Sequence, residues 1–232
     1  MKIFYLLSWF RIKTMASPTE ENYLKALFNL KDEDGKVSIS ELSSTLEVSM
    51  PTANSMVKNL LKKGLINYEK YKPIQLTAEG SRMAALVIRK HRLTEMYLAE
   101  KMGFGWEEVH DIAEQIEHIK SPIFFKRMDE LLNHPQVDPH GSPIPNAQGI
   151  IANLNHKPLS EHAAGDKVKL AALAHSSSEF LDFLNSRNLK LGTELKVISV
   201  ESFDGSMVVS YAGHSSEGLS AMVCDRLLVE KV

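Results

Sequence analysis

Residues 38–77 read SISELSSTLEVSMPTANSMVKNLLKKGLINYEKYKPIQLT, and this stretch decides the fold of the front of the chain. Ser38-Ile39-Ser40-Glu41 has the capping-box form: the Ser hydroxyl and the Glu carboxylate each satisfy a main-chain N–H that a helix start leaves unpaired. Leu42 and Leu46 then supply the apolar positions of a short helix. Residues 47–50 make a tight connection. Pro51 lacks only an N–H that a first turn does not need, so it opens a second helix. The inner face of that helix is Ala53, Met56, Val57, Leu60 and Leu61, and Gly64 is its stop. Two helices across a four-residue turn form a helix-turn-helix. Residues 65–68 and 74–77 alternate as strands around a tip carrying Lys70, Tyr71 and Lys72, so the whole reads as a winged helix.

Working outward, Tyr23, Leu24, Leu27, Phe28 and Leu30 recur at helical spacing, which predicts a helix over 18–30. Downstream, a long helix is expected over 78–101, broken by Gly103-Phe104-Gly105, and a second over 106–120, ended by Ser121-Pro122. Their apolar faces call for packing on each other or on another copy. A shorter helix covers 124–132. The Pro/Gly-rich stretch at 134–158 reads as a tethering loop rather than a folded core. Beyond it, 166–170, 194–200, 207–211 and 226–232 alternate as strands, with one helix near 179–187, giving a small β-barrel of about 70 residues.

A length of 232 residues suits two or three small domains, and 44% hydrophobic with 24% charged residues excludes a disordered, collagenous or multi-span membrane chain. The one cysteine, Cys224, excludes a disulfide framework and a thiolate-rich metal site, and fits a reducing compartment. The apolar run at 3–10 is too short for a bilayer and lacks a signal-peptide cleavage pattern, so residues 1–14 read as an extension upstream of a start at Met15. The net charge of -2 hides an asymmetry: residues 36–92 hold ten Lys/Arg against four Asp/Glu, and 93–160 hold five against ten. Polyanion binding beside cation binding is one reading; solvated faces that merely segregate are the other.

His110, Glu114, Glu117 and His118 fall at i, i+4, i+7 and i+8, one stripe of the expected 106–120 helix, and His91 and Glu95 repeat the i, i+4 spacing on the long helix. Six imidazole and carboxylate groups facing a shared space point to a divalent cation, against the alternative of exposed helix polar groups. Ligand type favours Mn²⁺ or Fe²⁺, while affinity order admits Zn²⁺. Catalysis finds no support: H-E-x-x-H, G-x-S-x-G and a phosphate-binding Gly loop are missing, as is the pair of Glu-x-x-His motifs that a di-iron bundle needs.

Five motifs together, TEENYL (19–24), Met50-Pro51-Thr52, RKHRLTE (89–95), VHDIAEQIEH (109–118) and PHGSPIP (139–145), resemble the metal-dependent repressors of the diphtheria toxin repressor (DtxR) family. The resemblance implies a mainly α chain with a small β component. A winged helix-turn-helix at 15–88 would be followed by a helical metal-binding and dimerisation domain at 89–157 and an SH3-like or FeoA-like barrel at 158–232. It implies a regulatory metal site of Asn22, Glu114, Glu117 and His118, and an ancillary site of His91, Glu95 and His110, sometimes completed from the barrel, where Glu179 is the best-placed candidate. Iron-sensing members place a cysteine where this chain has Glu114, so the site resembles the manganese-sensing branch. That branch usually has an aspartate where Asn22 stands, and a neutral amide oxygen is the weaker ligand.

The implied function is a cytoplasmic homodimeric repressor, with no membrane association, that Mn²⁺ or Fe²⁺ activates to bind a palindromic operator in double-stranded DNA before metal-uptake genes. Pro51, Thr52, Asn54 and Ser55 would enter the major groove, Thr52 and Asn54 reading base edges, while Lys58, Lys62, Lys70 and Lys72 would touch phosphates or simply be solvated. The competing reading is a metal-storage or metallo-hydrolytic protein that uses its winged helix for protein contacts.

Overall fold

The computed structural model describes residues 16–232; the expectation for residues 1–14 lies outside them. The chain forms two compact units, one ending at Gly80 and one spanning Ser81–Val232.

In the first unit, α1 (Pro18–Leu30) and α2 (Ile39–Thr45) both start on complete capping boxes, Ser17 with Glu20 and Ser38 with Glu41. Ser49 caps α3 (Met50–Lys62), with Pro51 in its first turn. Leu24, Leu27, Leu42, Ala53, Val57 and Leu60 form the buried centre, each large side chain contributing about 2 kcal/mol by leaving water. Leu61, expected on the inner face of α3, is 40% exposed on its flank. The wing strands β2 (Ile66–Asn67) and β3 (Ile74–Leu76) are shorter than expected, and β1 (Lys36–Val37) joins them in the order β1-β3-β2. Two residues are too few to leave an alternation in the sequence, so β1 was not anticipated.

Glu20 orients the recognition helix α3. Its carboxylate is buried, and it accepts from Asn59 Nδ2 at 2.7 Å and Lys63 Nζ at 2.5 Å, tying the last turn of α3 to the first turn of α1. Thr77, expected to end a strand, instead caps the next helix: its Oγ1 accepts from Gly80 N–H and donates to the Gly64 carbonyl. A Cβ at Gly80 would overlap the Leu65 carbonyl, so only glycine permits this close approach.

That helix, α4 (Ala78–Met102), begins at the end of the first unit and runs on into the second. There it meets α5 (Val109–Ile116) and α6 (Pro122–Leu131). Leu93, Phe125, Met128, Leu132 and Ile144 make their shared core. The expected helix over 106–120 is a correction: only Val109–Ile116 is helical, Glu117 closes it, and His118 lies in the following turn. The four-residue stripe on one helix is thereby reduced to His110 and Glu114.

The stretch read as a tether is a second correction. Asp138 and His140 are 3% and 4% exposed, and Ile144 reaches the core. Proline-rich backbone lacks N–H groups but keeps its carbonyls, and here Arg89 Nη1 donates to the Pro145 oxygen and Arg92 Nη1 to that of Pro143. The loop is ordered by side chains of α4, which a local reading of Pro and Gly cannot foresee.

The barrel comprises β4 (Lys157–Pro158), β5 (Lys167–Leu173), α7 (Ser178–Asn185), β6 (Glu194–Val200), β7 (Met207–Tyr211), β8 (His214–Leu219), α8 (Ala221–Arg226) and β9 (Leu227–Lys231). Its antiparallel sheet has the order β4-β9-β5-β6-β7-β8, over a core that includes Leu170, Leu184, Val197, Val209 and Cys224. The expected strands are present. β8, with the polar sequence HSSEGL, shows no apolar alternation and was not anticipated. Among the described residues no helix is long and apolar enough to cross a membrane.

Candidate metal centre

α4 and α5 bring four of the expected ligands together. His91 and Glu95 lie one turn apart on α4 and are 8% and 2% exposed; His110 and Glu114 lie one turn apart on α5. His91 Nδ1 is 2.6 Å from Glu117 Oε2, and its Nε2 is 2.9 Å from Glu95 Oε1 and 3.2 Å from His110 Nδ1. Glu114 Oε1 is 3.9 Å from His91 Nδ1 and 3.6 Å from His110 Nε2. With a carboxylate at each nitrogen, the His91 ring satisfies both only as an imidazolium donating twice. A cation bound at either ring nitrogen displaces the proton there.

The buried loop adds two residues that the sequence reading missed. Glu95, Asp138 and His140 form one group whose candidate ligand atoms lie within 4.8 Å of one another, and His91, His110 and Glu114 form another. His140 lies inside the PHGSPIP motif and Asp138 directly before it, but their Pro/Gly surroundings carry the local pattern of a tether. Glu117 is fully buried against His91, and His118 Nε2 lies 3.7 Å from Glu117 Oε1. Glu179 belongs to neither group: it is exposed in the first turn of α7, where its own backbone N–H and Ser177 hold it below the ordinary carboxylate range. Asn22 lies on α1, its Oδ1 buried with no hydrogen-bond partner among the described residues.

The donor set fits a divalent cation. Burial works to raise Glu95, yet hydrogen bonds from His110 and His91 outweigh it and hold the group well below the ordinary range. Asp138 goes the other way, pushed up to about 6 by burial and by the Glu95 charge, against the pull of Arg92. Two carboxylates driven apart in this way are what a cation between them would relieve. Both groups consist of nitrogen and oxygen ligands, and Cys224 is buried in the barrel core.

Asp138 yields a test in the metal-free protein. Its folded value lies above the ordinary one, so its contribution to stability is present below about pH 4 and is lost as pH rises through about 6. Asp138→Asn keeps an oxygen for the N–H groups of His140 and Ser142 and cannot ionise. Its metal-free form should therefore be more stable than the parent at pH 7.5, by about 1 to 2 kcal/mol once the lost Arg92 pairing is allowed for. The gap should close near pH 4 in thermal melts; a gap independent of pH would contradict the assignment.

On α3, Pro51, Thr52, Ser55, Lys58 and Lys62 share an exposed face. Thr52 Oγ1 is 2.8 Å from Ser49 Oγ, while Asn54 is half-buried and donates from Nδ2 to the Met50 carbonyl. Of the two residues expected to read bases, Thr52 is therefore the more available. Lys70 and Lys72 are exposed at the wing tip, Lys70 over the Tyr71 ring and Lys72 paired with Glu69.

Residues 15–74 match the family model of the iron dependent repressor N-terminal DNA binding domain, and 77–146 that of its metal binding and dimerisation domain. Residues 157–231 match the FeoA domain. The iron-dependent repressor IdeR of Mycobacterium leprae (strain TN) is 29% identical over 224 residues, 92% of this chain and 97% of the relative. A solved manganese-dependent transcriptional repressor in complex with manganese superimposes with a TM-score of 0.83 at 30% identity, covering 92% of this chain and 100% of that one. ScaR with bound Zn²⁺ gives 0.77 at 30% identity over 92% and 99%.

Proposed function

This chain belongs to the DtxR family of metal-dependent transcriptional repressors, and on that premise we propose that it is a cytoplasmic homodimer that Mn²⁺ or Fe²⁺ activates to bind a palindromic operator before metal-uptake genes. The observation that carries this reading is the convergence of two His/carboxylate groups, one buried and one partly exposed, on α4, α5 and the 138–142 loop. His91, His110 and Glu114 would hold one cation, with Glu117 and His118 as its further ligands; Glu95, Asp138 and His140 would hold another. Asn22 is proposed as the ligand supplied by the DNA-reading unit. A bound cation supplies compensating positive charge and ligand bonds that favour the DNA-competent conformation. To turn a 1:99 population into 99:1 it must prefer that conformation by about 5.5 kcal/mol. Ligand type leaves Mn²⁺ and Fe²⁺ as the leading ions and Zn²⁺ as a competitor in vitro.

Dimerisation is proposed to use the apolar residues that α6 and its surroundings leave uncovered, Ile119, Ile123, Phe124 and Leu131, with Ile123 77% exposed. Isothermal titration of Mn²⁺ into the metal-free dimer tests the metal reading: two sites per protomer are expected, and no binding above background would reject it.

On the DNA side, Thr52→Ala should relax base preference at one position per half-site at a cost of about 1 to 3 kcal/mol. Lys58→Ala should weaken all sequences alike and flatten the salt dependence. Competition between operator variants separates the two outcomes. A uniform loss for Thr52→Ala would remove it from base reading.

A further inference from the structure

One continuous set of hydrogen bonds runs from the barrel to the Glu95, Asp138 and His140 group, all within the second unit. His140 Nε2 lies 2.8 Å from the main-chain oxygen of Trp106. A carbonyl only accepts, so Nε2 carries a proton, and Nδ1, 3.9 Å from Glu95 Oε2, is the ring nitrogen turned toward the group. A carbonyl that accepts the N–H opposite the metal-facing nitrogen is the usual means of fixing a ligating imidazole in one tautomer and one orientation. What holds the carbonyl matters in turn, because Trp106 lies outside the helices, in the turn before α5.

The barrel holds it. The Trp106 indole packs on the barrel core and stacks near the His140 ring, 6.1 Å between centroids at 22°. Its Nε1 donates to Asn185 Oδ1 at 2.8 Å, and Asn185 Nδ2 donates to Glu107 Oε2 at 3.0 Å. Asn185, the last residue of α7, thus grips two consecutive residues of the 103–108 segment at once. From the other side, Leu173 N–H donates to the His140 carbonyl, and Gly141 lies against Ala171 and Ala172 of β5 so closely that a Cβ would overlap the Ala171 oxygen.

We propose that Asn185 is a positioning residue: by clamping Trp106 from the barrel it fixes the carbonyl that orients His140, and so sets the affinity of this group for a divalent cation. The inference rests on the metal-binding reading of Glu95, Asp138 and His140. It gives the barrel a task in metal sensing that needs no ligand from the barrel itself.

The experiment is a double-mutant cycle on the full chain, titrating Mn²⁺ calorimetrically into the metal-free protein, Asn185→Ala, His140→Ala and the double variant. Asn185 is exposed, so its substitution leaves the core intact. His140→Ala should remove one of two binding steps. Asn185→Ala should weaken that same step about tenfold and spare the other, as loss of an outer partner does. The double variant should bind no more weakly than His140→Ala, because Asn185 acts through His140. Long-range ¹H–¹⁵N spectra of the metal-free protein supply an independent readout: His140 should be the Nε2–H tautomer in the parent and a mixture in Asn185→Ala. Unchanged affinity in Asn185→Ala, or an equal loss with and without His140, overturns the inference while leaving the metal group standing. A fall in both steps together with a lower melting temperature also overturns it, marking Asn185 as structural only. Two undisturbed steps in His140→Ala would remove the metal group itself and the inference with it.

Discussion

Replacing either Glu114 or His118 by alanine is expected to abolish metal-dependent operator binding. Glu114 is the carboxylate of the group containing His91 and His110, and it is 35% exposed, so its loss removes a ligand without opening the core. His118 stands in the turn after α5 with its side chain 16% exposed, next to the buried Glu117. Loss of an outer partner already costs 10- to 100-fold in metal affinity, so loss of a direct ligand should cost more than about 100-fold. In fluorescence anisotropy with labelled operator, each variant at saturating Mn²⁺ should bind no better than the metal-free parent. Retained metal dependence in both variants would remove them from the site.

Glu95→Ala should have the second large effect, because Glu95 belongs to one group and is hydrogen-bonded to two members of the other. Its Oε1 meets His91 at 2.9 Å and His110 at 3.3 Å, and its Oε2 faces His140 at 3.9 Å. The Mn²⁺ step at Glu95, Asp138 and His140 should disappear, and the step at His91, His110 and Glu114 should weaken about 10- to 100-fold, as loss of an outer partner does. The metal-free fold should also lose about 3 kcal/mol, the lower end of the cost of breaking a buried pair. The lower end applies because Asp138, no longer facing the Glu95 charge, ionises more readily and takes up part of the balance. Glu95→Gln keeps the shape and one oxygen, so it should fold better than the alanine variant and still lose the first of these steps. Calorimetry and thermal melts on the two variants separate ligand loss from fold loss; intact Mn²⁺ binding in Glu95→Gln would rule out Glu95 as a ligand.

The sequence disclosed what is locally encoded. Ser38 and Pro51 mark helix starts by chemistry confined to one turn, and the structure has helices there. The period of the apolar residues gave the barrel strands around Val168, Val197, Val209 and Val229 in the same way. What stayed hidden depends on partners distant in the chain. α5 stops at Ile116, short of the expected end, so Glu117 and His118 are placed by the closing turn rather than by a helical stripe. Asp138 and His140 enter the site because Arg89 and Arg92 organise a proline-rich loop from about 50 residues away, a range at which no local pattern speaks. Asn54 looked like a base reader by position, yet its amide turns back to Met50, a choice that spacing does not reveal.

The central claim is that a divalent cation converts this chain into a sequence-specific DNA binder. The most direct measurement is a mobility-shift titration on a palindrome enriched from random duplexes, carried out with chelator and with Mn²⁺, Fe²⁺ and Zn²⁺ in turn. Specific complexes typically exceed non-specific binding by 10³-fold or more, so the signal is unambiguous. The account predicts a shift in Mn²⁺ and Fe²⁺ that chelator reverses and that Glu114→Ala lacks. A shift of equal strength in chelator, or none with any ion while Mn²⁺ still binds at two sites per protomer, would contradict it and return the metal groups to storage or hydrolytic chemistry.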